Sequence, residues 1–184
     1  MKTKTQFLAY FFCLPWDITI AWPTILLIRL LWGKNLRWET PPMPNPGGPV
    51  LTCEILADSW PGRTWYKPWG GTTIGHGIFY GADLVQPGKW SGLQEHEHVH
   101  VEQFEGVSLG SFITGLWVGI VIGALGHAVA AVLVGLLIWW LGYLVMGLGN
   151  WTVAWFRGEN FYRGSSHEES AYAQGDAYRN REGH

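Results

Sequence analysis

A chain of 184 residues has room for one functional unit, and its formal charge of -2, with Lys and Arg dispersed, gives no basic face to neutralise phosphates, which sets nucleic acid aside as a partner. Charged residues are only 14% while Trp numbers 13 and Gly 25, a composition that leaves soluble averages for that of membrane helices and their aromatic belts. Cys13 and Cys53 form neither a CxxC pair nor a disulfide framework.

Lys2 and Lys4 precede an apolar run from Phe7 to Trp32, interrupted by Pro15, Asp17 and Pro23. No small-residue cleavage site follows, so 1–37 reads as a retained N-terminal membrane-associated helix. Arg29, Lys34 and Arg37 put positive charge on its far flank as well, and both a kinked transmembrane helix and a re-entrant or interfacial one satisfy that pattern. Residues 38–49, rich in Pro and Gly, form a linker. Within 50–106 the sequence predicts a strand from Val50 to about Ala57, a Trp/Gly/Pro loop through Gly71 and an irregular strand from Thr72 to Tyr80. Ser91 then caps a helix to about Glu105, with Gly106 as its stop signal.

From Val107 to Phe156 the chain holds no Asp, Glu, Lys or Arg, long enough to cross a bilayer twice with a turn at Gly126 and His127. Segment 107–156 is therefore expected to be a transmembrane helical hairpin. Gly115, Gly119 and Gly123 on one helix, and Gly135, Gly142 and Gly149 on the other, would let the backbones approach closely. The final segment, 157–184, is polar, with a helix from Ser166 through Arg179 and a tail. Arg157, Arg163, Arg179 and Arg181 follow a hairpin tip devoid of Lys and Arg, which places both soluble pieces on the cytoplasmic face of an integral membrane protein. The expected fold class is α+β: a short sheet with two polar helices, an inserted hairpin and an N-terminal membrane helix.

His96, Glu97 and His100 make the pattern HExxH, in which two histidines four apart share one helical face and can offer imidazole nitrogens to a single ion. Glu97 points beside the metal, where it can take a proton from a metal-activated water and pass it to a leaving amine. A catalytic zinc site needs a third protein ligand. Glu168 is the choice for it, because Ala171 three residues on leaves room for its helix to approach the first; Glu169 points about 100 degrees away around the helix. His167 is a weaker alternative. The expected cofactor is Zn2+.

The stretch Gln94 to Gln103, followed by a helix opening on Glu168, resembles the gluzincin metallopeptidases, in which HExxH supplies two ligands and a downstream ExxA-type helix the third. The order zinc helix, membrane hairpin, glutamate helix resembles the HtpX-like and CAAX-prenyl-protease membrane gluzincins, and His100 to Gln103 is similar to the HExxHxxQ form of small peptidase-like families. The resemblance implies His96, His100 and Glu168 as ligands, Glu97 as catalytic base, a zincin-like unit, and a polypeptide substrate near the membrane. Tyr172 stands where the membrane families place an Asp that orients a ligand histidine.

Elsewhere, His98 shares a face with Glu95 and Glu102 and reads as solvated, with a second ion site as the alternative. His76 reads as a loop histidine or, on an edge strand, an oxyanion donor. Tyr172 and Tyr178 read as packing residues. The activity this pattern predicts is zinc-dependent peptide hydrolysis with Glu97 as general base. The alternative is a non-catalytic membrane metal-binding or scaffold protein.

Overall fold

A computed structural model of the chain describes residues 11–40, 49–66, 70–82, 84, 90–158 and 165–182. The chain forms two compact units, one of residues 16–102 and 167–184, the other of residues 1–15 and 103–166. Among the described residues it is a mixed α+β structure with a four-stranded sheet and three helices long and apolar enough to cross a membrane. Those helices are α1 (Phe11–Trp32), α2 (Gly92–Ala124) and α3 (Ala128–Phe156). The 38–49 linker falls largely outside the described residues.

The sheet belongs to the first unit and runs β1 (Gly33–Glu39), β2 (Val50–Ile55), β4 (Gly77–Gly81), β3 (Gly71–Ile74) across its width. β1 and β2 are antiparallel, β2 and β4 parallel, and β4 and β3 antiparallel, with Cys53 opposite Phe79 and Thr73 opposite Ile78. Alternation along β2 and β4 divides two cores. Leu51, Cys53, Ile55 and Phe79 face Ile25 of α1, while Val50, Ile78 and Tyr80 face Val101 of α2.

Two features of α1 follow from residues that interrupt its apolar run. Pro23 lacks an N–H to donate back into the preceding turn, and the helix widens there to a π turn at Asp17–Ala21. At Gly33 the backbone turns extended, and an added Cβ would come 2.6 Å from Cys53 Sγ and 2.7 Å from Arg29 Cα. That close return makes 33–39 a strand where the sequence pattern gave the end of a helix and the start of a linker. The outward row of Leu26, Leu27, Leu30 and Leu31 is exposed, while Ile25 on the opposite side is fully buried against the sheet.

The helix carrying HExxH does not stop at Gly106. It runs unbroken for 33 residues from Gly92 to Ala124, because a mid-helix Gly costs only about 1 kcal/mol, and the positive φ that ends a helix occurs instead at Gly126, where the hairpin turns. Such a helix is about 50 Å long, against roughly 30 Å of hydrocarbon. Its charge-free part, 107–124, suits the bilayer, and the four turns before it carry the polar residues.

In the second unit α2 and α3 approach through small residues. A Cβ on Gly135 would lie 2.9 Å from the Gly115 carbonyl oxygen, and one on Gly119 would lie 3.1 Å from that of Ala131. A Cβ on Gly149 would meet nothing within 4 Å among the described residues. Trp139 Nε1 donates to the Phe12 carbonyl at 2.9 Å, and the Phe12, Phe112 and Trp139 rings cluster.

Candidate metal centre

The start of α2 is fixed by a reciprocal cap. Ser91 N–H donates to Gln94 Oε1 at 2.9 Å, and Gln94 N–H donates to Ser91 Oγ at 3.3 Å, so two of the helix's orphan amide donors are satisfied at once. Gln94 Nε2 also donates to Glu39 Oε2 at the end of β1, and Trp90 Nε1 donates to Glu95 Oε2. These bonds set the rotation of the helix against the sheet, which in turn decides where His96, Glu97 and His100 point.

One turn apart, His96 and His100 face α4 (Ser166–Glu182), the last helix of the same unit. Ala171 is fully buried, and a Cβ on Gly175 would come 2.9 Å from the Gly92 carbonyl oxygen and 3.3 Å from His96 Cβ, so small residues bring the two helices into contact. Glu168 is thereby aimed between the histidines, with Oε2 3.5 Å from His96 Nε2 and Oε1 3.3 Å from His100 Nε2. Its neighbour Glu169 is exposed.

The donor atoms of His96, His100 and Glu168 all lie within 4.8 Å of one another, and this buried group can hold a metal ion. Bonds of about 2.0–2.1 Å at tetrahedral angles put neighbouring donors roughly 3.3 Å apart, so the two N–O separations are close to what one shared ion requires. Among the described residues the group offers two imidazoles and one carboxylate.

Glu97 lies beside this group and not within it. Thr73 Oγ1 on the edge strand β3 sits 2.7 Å from Glu97 Oε2 and 3.0 Å from the Glu97 carbonyl oxygen. Burial pushes the Glu97 carboxyl above its ordinary 4.5; His100, the Thr73 hydrogen bond and His96 oppose the rise, and Glu168 adds to it. Gly71 is the space into which the side chain fits, since a Cβ there would lie 2.6 Å from Glu97 Oε1 and 2.8 Å from its Cδ and Cγ. Gly71→Ala is expected to displace the carboxylate by about 1 Å and lower any turnover that uses it by about a hundredfold, while metal content, read by elemental analysis, stays unchanged.

No known protein family, curated protein or solved structure matches this chain.

Several other residues take positions that spacing alone did not give. His98 and Glu95 are buried rather than solvated: Glu95 accepts from Trp90, whose ring centroid lies 6.1 Å from that of His98. His76 is fully buried in the β3–β4 turn, where Asp17 Oδ1 accepts its backbone N–H at 3.0 Å and Asp17 Oδ2 lies 2.7 Å from Nδ1. That ring serves the packing of α1 on the sheet and has no access to a substrate oxyanion. The signal that could have paired them was an acidic residue inside an apolar helix, since a buried carboxylate needs a partner. Thr73 and Gly71 carried no such signal. Burial lowers the pKa of His167, His100 adds to the fall and Glu168 opposes it.

Proposed function

We propose that this protein is a membrane-bound zinc-dependent peptidase in which His96, His100 and Glu168 hold the ion and Glu97 is the general base. The observation that carries the reading is the convergence of two imidazoles and a carboxylate on one point with a fourth side chain, the Glu97 carboxylate, held beside them by Thr73. A structural metal site has no use for that last group. Zinc bound there supplies Lewis acidity, lowering the pKa of a water from about 15.7 toward about 7 and polarising a scissile carbonyl.

The chain's own residues do the rest. Glu97 accepts the proton that water gives up and returns it to the departing amine, and Thr73 keeps the carboxylate from turning away. Burial of His96, Glu97 and Glu168 keeps bulk water from competing for these contacts. With three helices apolar enough to span a membrane, the substrate is a polypeptide at or near the bilayer, and the Arg residues that follow the hairpin favour the cytoplasmic side.

The test is metal content of the full chain in detergent or vesicles, by elemental analysis. Wild type is expected to hold about one zinc, and His96→Ala, His100→Ala and Glu168→Ala each to lose most of it at sub-micromolar free zinc, because removing one ligand forfeits a large share of the roughly 10–16 kcal/mol of a zinc site. Chelator-reversible cleavage of a membrane-proximal peptide should follow occupancy. A folded wild-type protein without metal would sink the proposal.

A further inference from the structure

The glutamate helix brings a second residue to the site. Tyr172 is one turn beyond Glu168 on α4, so the two share a face, and its ring centroid lies 4.6 Å from that of His96 at an interplanar angle of 56°. His96 thus meets α4 twice, through its Nε2 opposite Glu168 and through its ring face against Tyr172. The rings of His96 and His100 are 5.1 Å apart and nearly perpendicular, so the imidazole of His96 is bounded by an aromatic ring on one side and its fellow donor on another.

A ligand histidine binds well only if its ring is already turned toward the ion. In metal sites this orientation is ordinarily set by a hydrogen bond to the second ring nitrogen, and loss of such a partner costs about 10–100-fold in affinity. Here the contact is of another kind. We infer that Tyr172 is a positioning residue for the metal centre, whose ring, by packing on His96, holds the imidazole in the rotamer that presents Nε2 to the ion. Tilted aromatic pairs at 4.5–7 Å favour one ring orientation by about two- to tenfold. The observed contact is between the two rings, so the positioning is assigned to the aromatic face.

The inference rests on the metal-site reading, and its test separates the two. Zinc affinity of the full chain is measured by competition with a chromophoric chelator, alongside the visible spectrum of the Co2+ form, for wild type, Tyr172→Phe and Tyr172→Ala. Phe is expected to bind zinc within about twofold of wild type with the same cobalt bands. Ala is expected to bind about five- to tenfold more weakly, with broadened or shifted bands, while far-UV circular dichroism shows the helices intact. If Ala binds as wild type does, or if Phe is as weak as Ala so that the hydroxyl is what counts, the positioning role of the ring is wrong while the three-ligand site stands. Wild-type protein that takes up neither metal overturns both.

Discussion

Glu97→Gln is expected to leave about one zinc per chain and to cut peptide hydrolysis by about 10²–10⁴-fold. Gln is nearly isosteric with Glu, so it still fits against Gly71, and its amide oxygen still accepts from Thr73 Oγ1. The missing property is basicity. No ligand is lost, because the donors that converge are His96, His100 and Glu168. A protein that used these residues only to hold a metal would show no change in any function on this substitution, and that outcome would move the assignment to the non-catalytic alternative.

The same residue makes a signed prediction for pH. The folded-state pKa of Glu97 is raised, so folding favours its protonated form; the stabilisation it gives is full below the ordinary value near 4.5 and is lost as pH rises through the folded value. In the metal-free protein Glu97→Gln should therefore hold its stability, or gain some, as pH rises above the ordinary value. A variant that loses both stability and zinc would mean that Glu97 is part of the scaffold.

Asp17→Ala should destabilise the sheet-bearing unit by about 2–4 kcal/mol, because it takes a hydrogen-bond acceptor from two buried groups at once. Both side chains are fully buried, and Asp17 uses one oxygen on the His76 backbone N–H and the other on Nδ1. For a chain of this size the midpoint of thermal unfolding should fall by about 10 °C. Removing both partners, as in Asp17→Leu with His76→Phe, should cost less than the sum of the single changes, because neither polar group is then left facing an apolar one. Additive losses would show that the pair is not coupled. Since His76 lies in the turn between β3 and β4, and β3 carries Thr73, Asp17→Ala should also loosen the grip on Glu97.

Much of this protein was readable from local pattern. The charge-free run 107–156 required helices of bilayer length, and Gly126 marked their turn, because unsatisfied backbone groups cannot face hydrocarbon. The His96–His100 spacing put both imidazoles on one face, and the choice of Glu168 over Glu169 rested on Ala171 three residues on, which is fully buried, while Glu169 is exposed.

What the sequence could not supply depended on contacts between distant segments. Strand β1 carries too weak an alternation to announce itself and exists because β2 offers it hydrogen bonds. The burial of His98 and Glu95 comes from the packing around the first turns of α2, and the pairing of Asp17 with His76 from α1 folding back on the sheet. Thr73 and Gly71 became part of the centre only when β3 took the sheet edge beside Glu97. Composition and period determined which residues could be ligands and which segments suit a bilayer. The tertiary structure alone decided that three donors converge with the Glu97 carboxyl beside them, because convergence is a property of helix and sheet packing and has no counterpart in the linear order of the chain.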